Sequence, residues 1–184
     1  MKSILSTITS EISKVIEGVD SEQAEGFADR IASANRIFIA GTGRSGLAGR
    51  MFAMRLMHIG YQPYVVGETI TPNIEQGDLL ILISGSGETK TLVHFASKAS
   101  EIDATICLVT TNKDSTIGQL SNQTLVIPAV TKKTVSERKT IQPLGSQFDQ
   151  SAHLLLDAVI VHLLHHHANE STNNTMNKKH ANLE

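Results

Sequence analysis

The sequence predicts an α/β fold: a doubly wound, flavodoxin-like, five-stranded parallel sheet with helices on both faces. Two observations predict it. Short β runs alternate with helical stretches five times along the chain. The β runs are also continuous in Val, Ile and Leu, without polar alternation, as parallel strands covered on both faces are. Right-handed crossovers between such strands wind the helices onto both sides. Ligands of such sheets sit beyond the carboxyl ends of the strands, where strand order switches.

The elements follow in order. Ile4, Ile8, Ile12, Val15 and Ile16 recur at helical spacing, so residues 3–17 read as a helix. Asp20 or Ser21 offers the N-cap of a second helix over about 21–34. "RIFIAG" is a β run ending at Gly41. "RSGLAGRMFAMRLMHIG" is helical and stops at Gly60, a residue suited to the position after a helix. "QPYVVG" and "DLLILIS" are the next β runs, followed by a helix over about 88–101. "ATICLVT" and "QTLVIPA" complete the sheet, with a short helix near 115–120 between them. A polar stretch, 129–143, leads into a long apolar helix over about 144–167. The chain reads as one domain: N-terminal helices over 1–34, an α/β core with its last helix over 35–168, and a polar tail over 169–184.

The 184 residues are enough for a full core, and 40% hydrophobic with 18% charged is a globular mix. A net charge of −2 gives no basic excess for nucleic acid or an anionic membrane. The one cysteine, Cys107, excludes an internal disulfide and sits in an apolar run, as a core thiol does. No apolar run reaches the roughly 18 residues of a membrane span. The first 18 residues read as an amphipathic helix rather than a signal peptide, so the expected location is the cytoplasm.

Two strand ends carry loops of small residues: "GTGRSG" over 41–46 and "SGSGET" over 84–89. At a strand-to-helix turn the first backbone N–H groups of the helix lack partners, and the helix dipole favours an anion. Glycine allows close approach and hydroxyls add donors, so a phosphate suits both loops. The bland alternative makes Ser45 and Ser86 ordinary N-caps. A rival reading takes Gly41, Gly43 and Gly46 as a dinucleotide G-x-G-x-x-G, with Glu68 on the ribose. Arg44 is bulky for such a loop, and that reading leaves "SGSGET" without a role. No G-x-x-x-x-G-K-[ST] loop occurs.

The segments "GTGRSGLAGRMFAMRLMHIGY", "VVGETITP", "GDLLILISGSGETK", "KTIQPLGSQFDQ" and the terminal "HANLE" resemble the 6-phospho-3-hexuloisomerase family, within the sugar isomerase (SIS) fold family. The resemblance runs from about residue 30 to the end. It implies interconversion of arabino-3-hexulose 6-phosphate and fructose 6-phosphate, in the ribulose monophosphate route for formaldehyde. It also implies no cofactor or metal, a phosphorylated ketohexose as substrate, and a homotetramer whose active sites lie near subunit interfaces. By the same resemblance Ser84, Ser86 and Thr89 bind the sugar phosphate, with Gly85, Gly87 and Glu88 completing the loop. By that resemblance Ser45 faces the substrate from the first loop, where Gly43 is a further phosphate-binding candidate, and Arg44 either balances the phosphate charge or bridges subunits.

Moving a carbonyl from C3 to C2 needs one base near those carbons and donors for the developing oxyanion. Asp149 is the first candidate; the family usually has Glu there as proton acceptor, and Asp is about 1 Å shorter. Otherwise it is a first-turn Asp favoured by the dipole. Glu68 is either a second site carboxylate or a solvated loop acid. His58 and His180 are site candidates too, His180 and Glu184 because the "HANLE" tail resembles one that docks. Lys139 is a further cationic candidate. His162, His165, His166 and His167 lack a nearby carboxylate in sequence and read as helix-end residues rather than a metal site. Met51, Met54 and Met57 read as core or interface. Two other classes stay open: a non-catalytic phosphosugar sensor and a dinucleotide enzyme. A regulator of this kind usually carries a DNA-binding domain, for which the first 35 residues are few and acidic.

Overall fold

The computed structural model describes residues 1–130, 140–166 and 173–182. The candidates Lys139, His167 and Glu184 lie outside them. The helices are α1 (Lys2–Glu17), α2 (Ser21–Ser33), α3 (Gly43–His58), α4 (Lys90–Glu101), α5 (Thr116–Leu120), α6 (Ser146–His166) and α7 (Asn173–Lys179). The strands are β1 (Ile37–Gly41), β2 (Pro63–Val65), β3 (Leu79–Ile83), β4 (Thr105–Thr110) and β5 (Gln123–Val126). They form one parallel sheet in the order β2-β1-β3-β4-β5. Chain direction across the sheet therefore reverses between β1 and β3, the two strands that carry the small-residue loops.

The continuous apolar runs have the expected consequence. All five residues of β3 are buried, because β3 has a strand on each side and helices on each face. Ile37, Ile39, Ile81 and Val109 pack with Phe27, Phe52 and Leu156 from α2, α3 and α6. Phe38, Leu80, Leu82 and Leu108 meet Leu92, Ala96 and Ile117 from α4 and α5 on the other face. Cys107 is fully buried in the first of these layers, and burial pushes its thiol pKa up to about 12. It is a core residue at neutral pH.

Local signals explain most boundaries. Asp20 is the N-cap of α2, its carboxylate accepting from the Glu22 and Gln23 amides at 2.9 and 3.2 Å. Gly60, with φ of 106°, follows the C-cap Ile59 of α3. Where the two loops meet their helices the N-caps are Thr42 and Thr89, and neither Ser45 nor Ser86 has that role.

The alternation of strand and helix fails once. β2 passes to β3 through residues 66–78 without a helix. Gly67, Pro72 and Gly77 punctuate that stretch, and Ile74 packs on the sheet where a helix would otherwise sit. Its end is clamped instead by ion pairs. Buried Asp78 accepts from Arg36 Nε at 3.1 Å and from an Arg36 terminal nitrogen at 2.7 Å, and also from the Glu75 amide at 2.8 Å. This bidentate pair ties the entrance of β3 to that of β1.

The sheet ends are managed differently. Gln23 of α2 covers β5: its side-chain oxygen accepts from the Val126 amide at 3.1 Å, and its carbonyl accepts from Gln123 Nε2 at 3.0 Å. On α6, one face is core, whereas Leu154 and Val161 stand about half exposed. The core side packs against α1, α2 and α3, and the stripe left outward carries these two apolar residues.

Candidate functional site

The two loops open onto one cleft at the carboxyl end of β1 and β3, of about 400 Å³. Thr42, Gly43, Arg44 and Ser45 line it from α3. Gly85 and Ser86 line it from the turn before α4, and Leu144, Gly145, Phe148 and Asp149 from the start of α6. The N-termini of α3 and α6 therefore stand at its rim, and their unpaired amides and dipoles make it favourable for an anion. A larger groove, about 670 Å³, runs between α1 and α6, but it is lined mainly by apolar side chains and lies away from the strand ends.

The backbone is shaped for this. A Cβ on Gly46 would stand 2.7 Å from the Gly41 carbonyl oxygen, so α3 leaves β1 in a turn too close for a side chain. Gly87 has φ of 65°, and a Cβ there would overlap the side chain of Ser115, the N-cap of α5. The Gly85 carbonyl accepts from Thr111 Oγ1 at 2.7 Å and from the Thr111 amide at 3.1 Å, which pins the loop to the end of β4.

The hydroxyls have distinct positions. Ser84 is buried beneath the loop; its Oγ accepts from the Gly87 amide at 3.1 Å and lies 3.4 Å from Thr89 Oγ1. Ser86 lines the cleft, and its Oγ accepts from the Glu88 amide at 3.2 Å, which leaves its proton to donate. Asp149 stands opposite. Its Oδ2 accepts from Arg44 Nε at 2.8 Å and its Oδ1 from Ser45 Oγ at 3.0 Å.

Other candidates fall elsewhere within the chain. The Glu88 carboxylate accepts from the Thr116 amide at 2.8 Å and from Thr116 Oγ1 at 2.7 Å, so it caps α5 rather than facing the cleft. A negative group there would also oppose a bound phosphate. Glu68 pairs with Arg50, about 9 Å along α3 from Arg44, and is absent from the cleft wall among the described residues. His58 lies at the far end of α3, about 21 Å from Arg44 along the axis. Its ring stacks on that of His180 with centroids 5.3 Å apart, so the tail docks on the same chain's α3. Of the four candidate proton carriers, one chain brings only Asp149 to the cleft.

Thr42, Leu144, Gly145 and Phe148 were not singled out from sequence. "PLGSQF" holds three of them, and its Pro and Gly before an apolar helix marked a turn. Nothing local showed that the turn would face another loop a hundred residues away. Leu144 takes φ of 57°, an unusual conformation for a branched side chain, at the cleft wall. His162 and His166 have ring centroids 4.4 Å apart. Among the described residues no group of three or more His, Cys, Asp or Glu is arranged to hold a metal ion.

Burial lowers the His58 pKa from the ordinary histidine value, and the nearby charges of His180 and Arg55 lower it further. Lys179 of α7 adds a third cationic group beside this corner, near Gly60. The folded state thus prefers neutral His58, while the unfolded chain protonates it near pH 6.5. The stability this preference supplies is complete above that pH and is lost as pH falls toward the folded value. Thermal melts should show a Tm decline from about pH 7.5 to about pH 5.5 that shrinks in His58→Gln. An unchanged decline in that variant would place the titrating group elsewhere.

A family profile for the SIS domain matches residues 30–154. The chain belongs to the SIS domain family. This SIS protein is 43% identical over 178 residues to a 3-hexulose-6-phosphate isomerase of Bacillus subtilis, covering 96% of this chain and 95% of the relative. A 3-hexulose-6-phosphate isomerase of Mycobacterium gastri is 40% identical over 180 residues, covering 98% and 89%. A crystal structure of a hypothetical protein of Methanococcus jannaschii, with an inferred function of 3-hexulose-6-phosphate isomerase, superposes with a TM-score of 0.83. It is 35% identical and covers 98% of each chain. The SIS chain shares its fold and nearly its full length with these proteins.

Proposed function

We propose that this SIS protein interconverts arabino-3-hexulose 6-phosphate and fructose 6-phosphate through a cis-enediolate. The observation that carries the reading is the cleft itself: the N-termini of α3 and α6 and the Gly85–Ser86 turn surround Asp149, its one carboxylate among the described residues, in about 400 Å³. The relatives' names supply a 3-hexulose 6-phosphate.

In this reading the ester phosphate sits on the Ser84–Thr89 loop and the first amides of α3 and α4, held by main-chain N–H groups, Ser86 and Thr89. Ser84 supports the loop from below. Remote binding of the phosphate fixes the reacting carbons near Asp149. Asp149 takes the proton from C2 of the 3-ketose, leaving an enediolate across C2 and C3. The hydroxyl proton passes from O2 to O3, and Asp149 returns its proton to C3. The carbonyl is then at C2. The oxidation of C2 balances the reduction of C3 within one substrate, so the step consumes no external oxidant or reductant.

The finer parts of the proposal are a homotetramer, a cytoplasmic setting and service in formaldehyde assimilation. Support for assembly comes from α3, where Leu47, Met51 and Met54 form an exposed apolar stripe. No described helix is long and apolar enough to cross a membrane. His58, His180 and Glu68 keep a site role here only if a second copy brings them to the cleft.

The test is turnover of fructose 6-phosphate to the 3-ketose, with and without EDTA, beside thermal melts with fructose 6-phosphate and with NAD. Turnover in both buffers and stabilisation by the sugar phosphate alone are expected. Stabilisation without turnover would make the protein a sensor. Stabilisation by NAD would restore the dinucleotide reading.

A further inference from the structure

The Asp149 carboxylate is held from both sides by consecutive residues of α3. Arg44 reaches Oδ2 through Nε, and Ser45 reaches Oδ1 through its hydroxyl. One donor on each oxygen fixes the plane of the group, and each oxygen keeps a second acceptor position. Asp149 is 12% exposed at its side chain, whereas Arg44 is 59% exposed. The arginine therefore lies over the carboxylate from the solvent side, instead of being buried with it. Such a half-exposed ion pair contributes little to stability. Its effect lies in orientation. Asp149 is also one methylene shorter than Glu, so its reach depends on where the first turn of α3 holds it.

We propose that Arg44 and Ser45 are positioning residues for Asp149, and that Arg44 acts on the carboxylate rather than as an anchor of the phosphate. This rests on the isomerase reading of the cleft. It explains why a cation stands in a glycine loop whose main-chain amides already suit an anion. It also separates two duties at the start of α3: amides for the ester, side chains for the base.

The test compares steady-state kinetics on fructose 6-phosphate for Arg44→Gln, Asp149→Asn and the double variant. Arg44→Gln should lower kcat by roughly ten- to a hundredfold, the scale of a misplaced catalytic group, and leave KM within about threefold. In the Asp149→Asn background the same change should cost nothing further, because no carboxylate remains to be held. Ser45→Ala should behave like Arg44→Gln. A KM rise with kcat retained, equal in both backgrounds, would make Arg44 a phosphate ligand and overturn the proposal, while active wild type left the isomerase reading intact. A second measurement needs no turnover. Stabilisation by inorganic phosphate in thermal melts should persist in Arg44→Gln; its loss there overturns the assignment even if wild type is inactive.

Discussion

Asp149→Asn should lower kcat for fructose 6-phosphate by about 10²–10⁴-fold, the usual cost of removing a general base. Asparagine keeps the volume of the side chain and can still accept from Ser45, so the cleft keeps its shape. Arg44 is already largely in water, and losing its partner strands no buried charge. KM and Tm should therefore change little. Asp149→Glu keeps a carboxylate and should retain more activity than the asparagine variant. The chemistry offers a second readout. Proton abstraction through an enediolate exchanges the transferred hydrogen with solvent, so wild type in deuterium oxide should label the sugar next to its carbonyl, and Asp149→Asn should not. An asparagine variant within tenfold of wild type would move the base to another residue, with a second copy's Glu68 or histidines next in line.

Gly87→Ala should be the most damaging single methyl in the phosphate loop. The position has φ of 65°, which costs an L-residue about 1–2 kcal/mol. The new Cβ would overlap Ser115, which is buried and accepts from the Gly118 amide at 3.2 Å as the cap of α5. Relief by moving the loop or the serine adds about 1–3 kcal/mol of overpacking. The sum, roughly 2–5 kcal/mol, corresponds to a Tm loss of about 5–15 °C in a chain of this size. The Ser84–Gly87 hydrogen bond shapes the same turn, so KM for the sugar phosphate should rise as well. A Tm within about 2 °C of wild type and an unchanged KM would mean that the turn relaxes freely.

The fold was legible because its signals are local. Continuous apolar runs mark doubly covered strands, and Asp20 and Gly60 punctuate helices through chemistry within a few residues. The two small-residue loops were legible for the same reason: glycines and hydroxyls at a strand end state what the turn can bind. What escaped depends on distant partners. Glu88 reads as part of an anion loop until Thr116, twenty-eight residues on, claims its carboxylate. Nothing in residues 66–78 announced that Asp78 would be claimed by Arg36, forty-two residues back. His58 and Asp149 both looked fit to carry a proton, and only the length of α3 separates them. Leu144 sits between Pro143 and Gly145, which signal a turn, but its own positive φ is imposed by the turn into α6 and had no signal in the residue itself.

The covering of β5 by Gln23 also bears on how copies of this chain can meet. With that rim plugged by a glutamine amide and the opposite rim only three residues long and starting at proline, neither flank gives an incoming strand much backbone to grip. Association by continuing the sheet from one subunit into the next is thereby discouraged. Any contact between copies would fall instead on helix faces where apolar side chains meet solvent, among them Leu47, Met51 and Met54 of α3 and Leu154 and Val161 of α6.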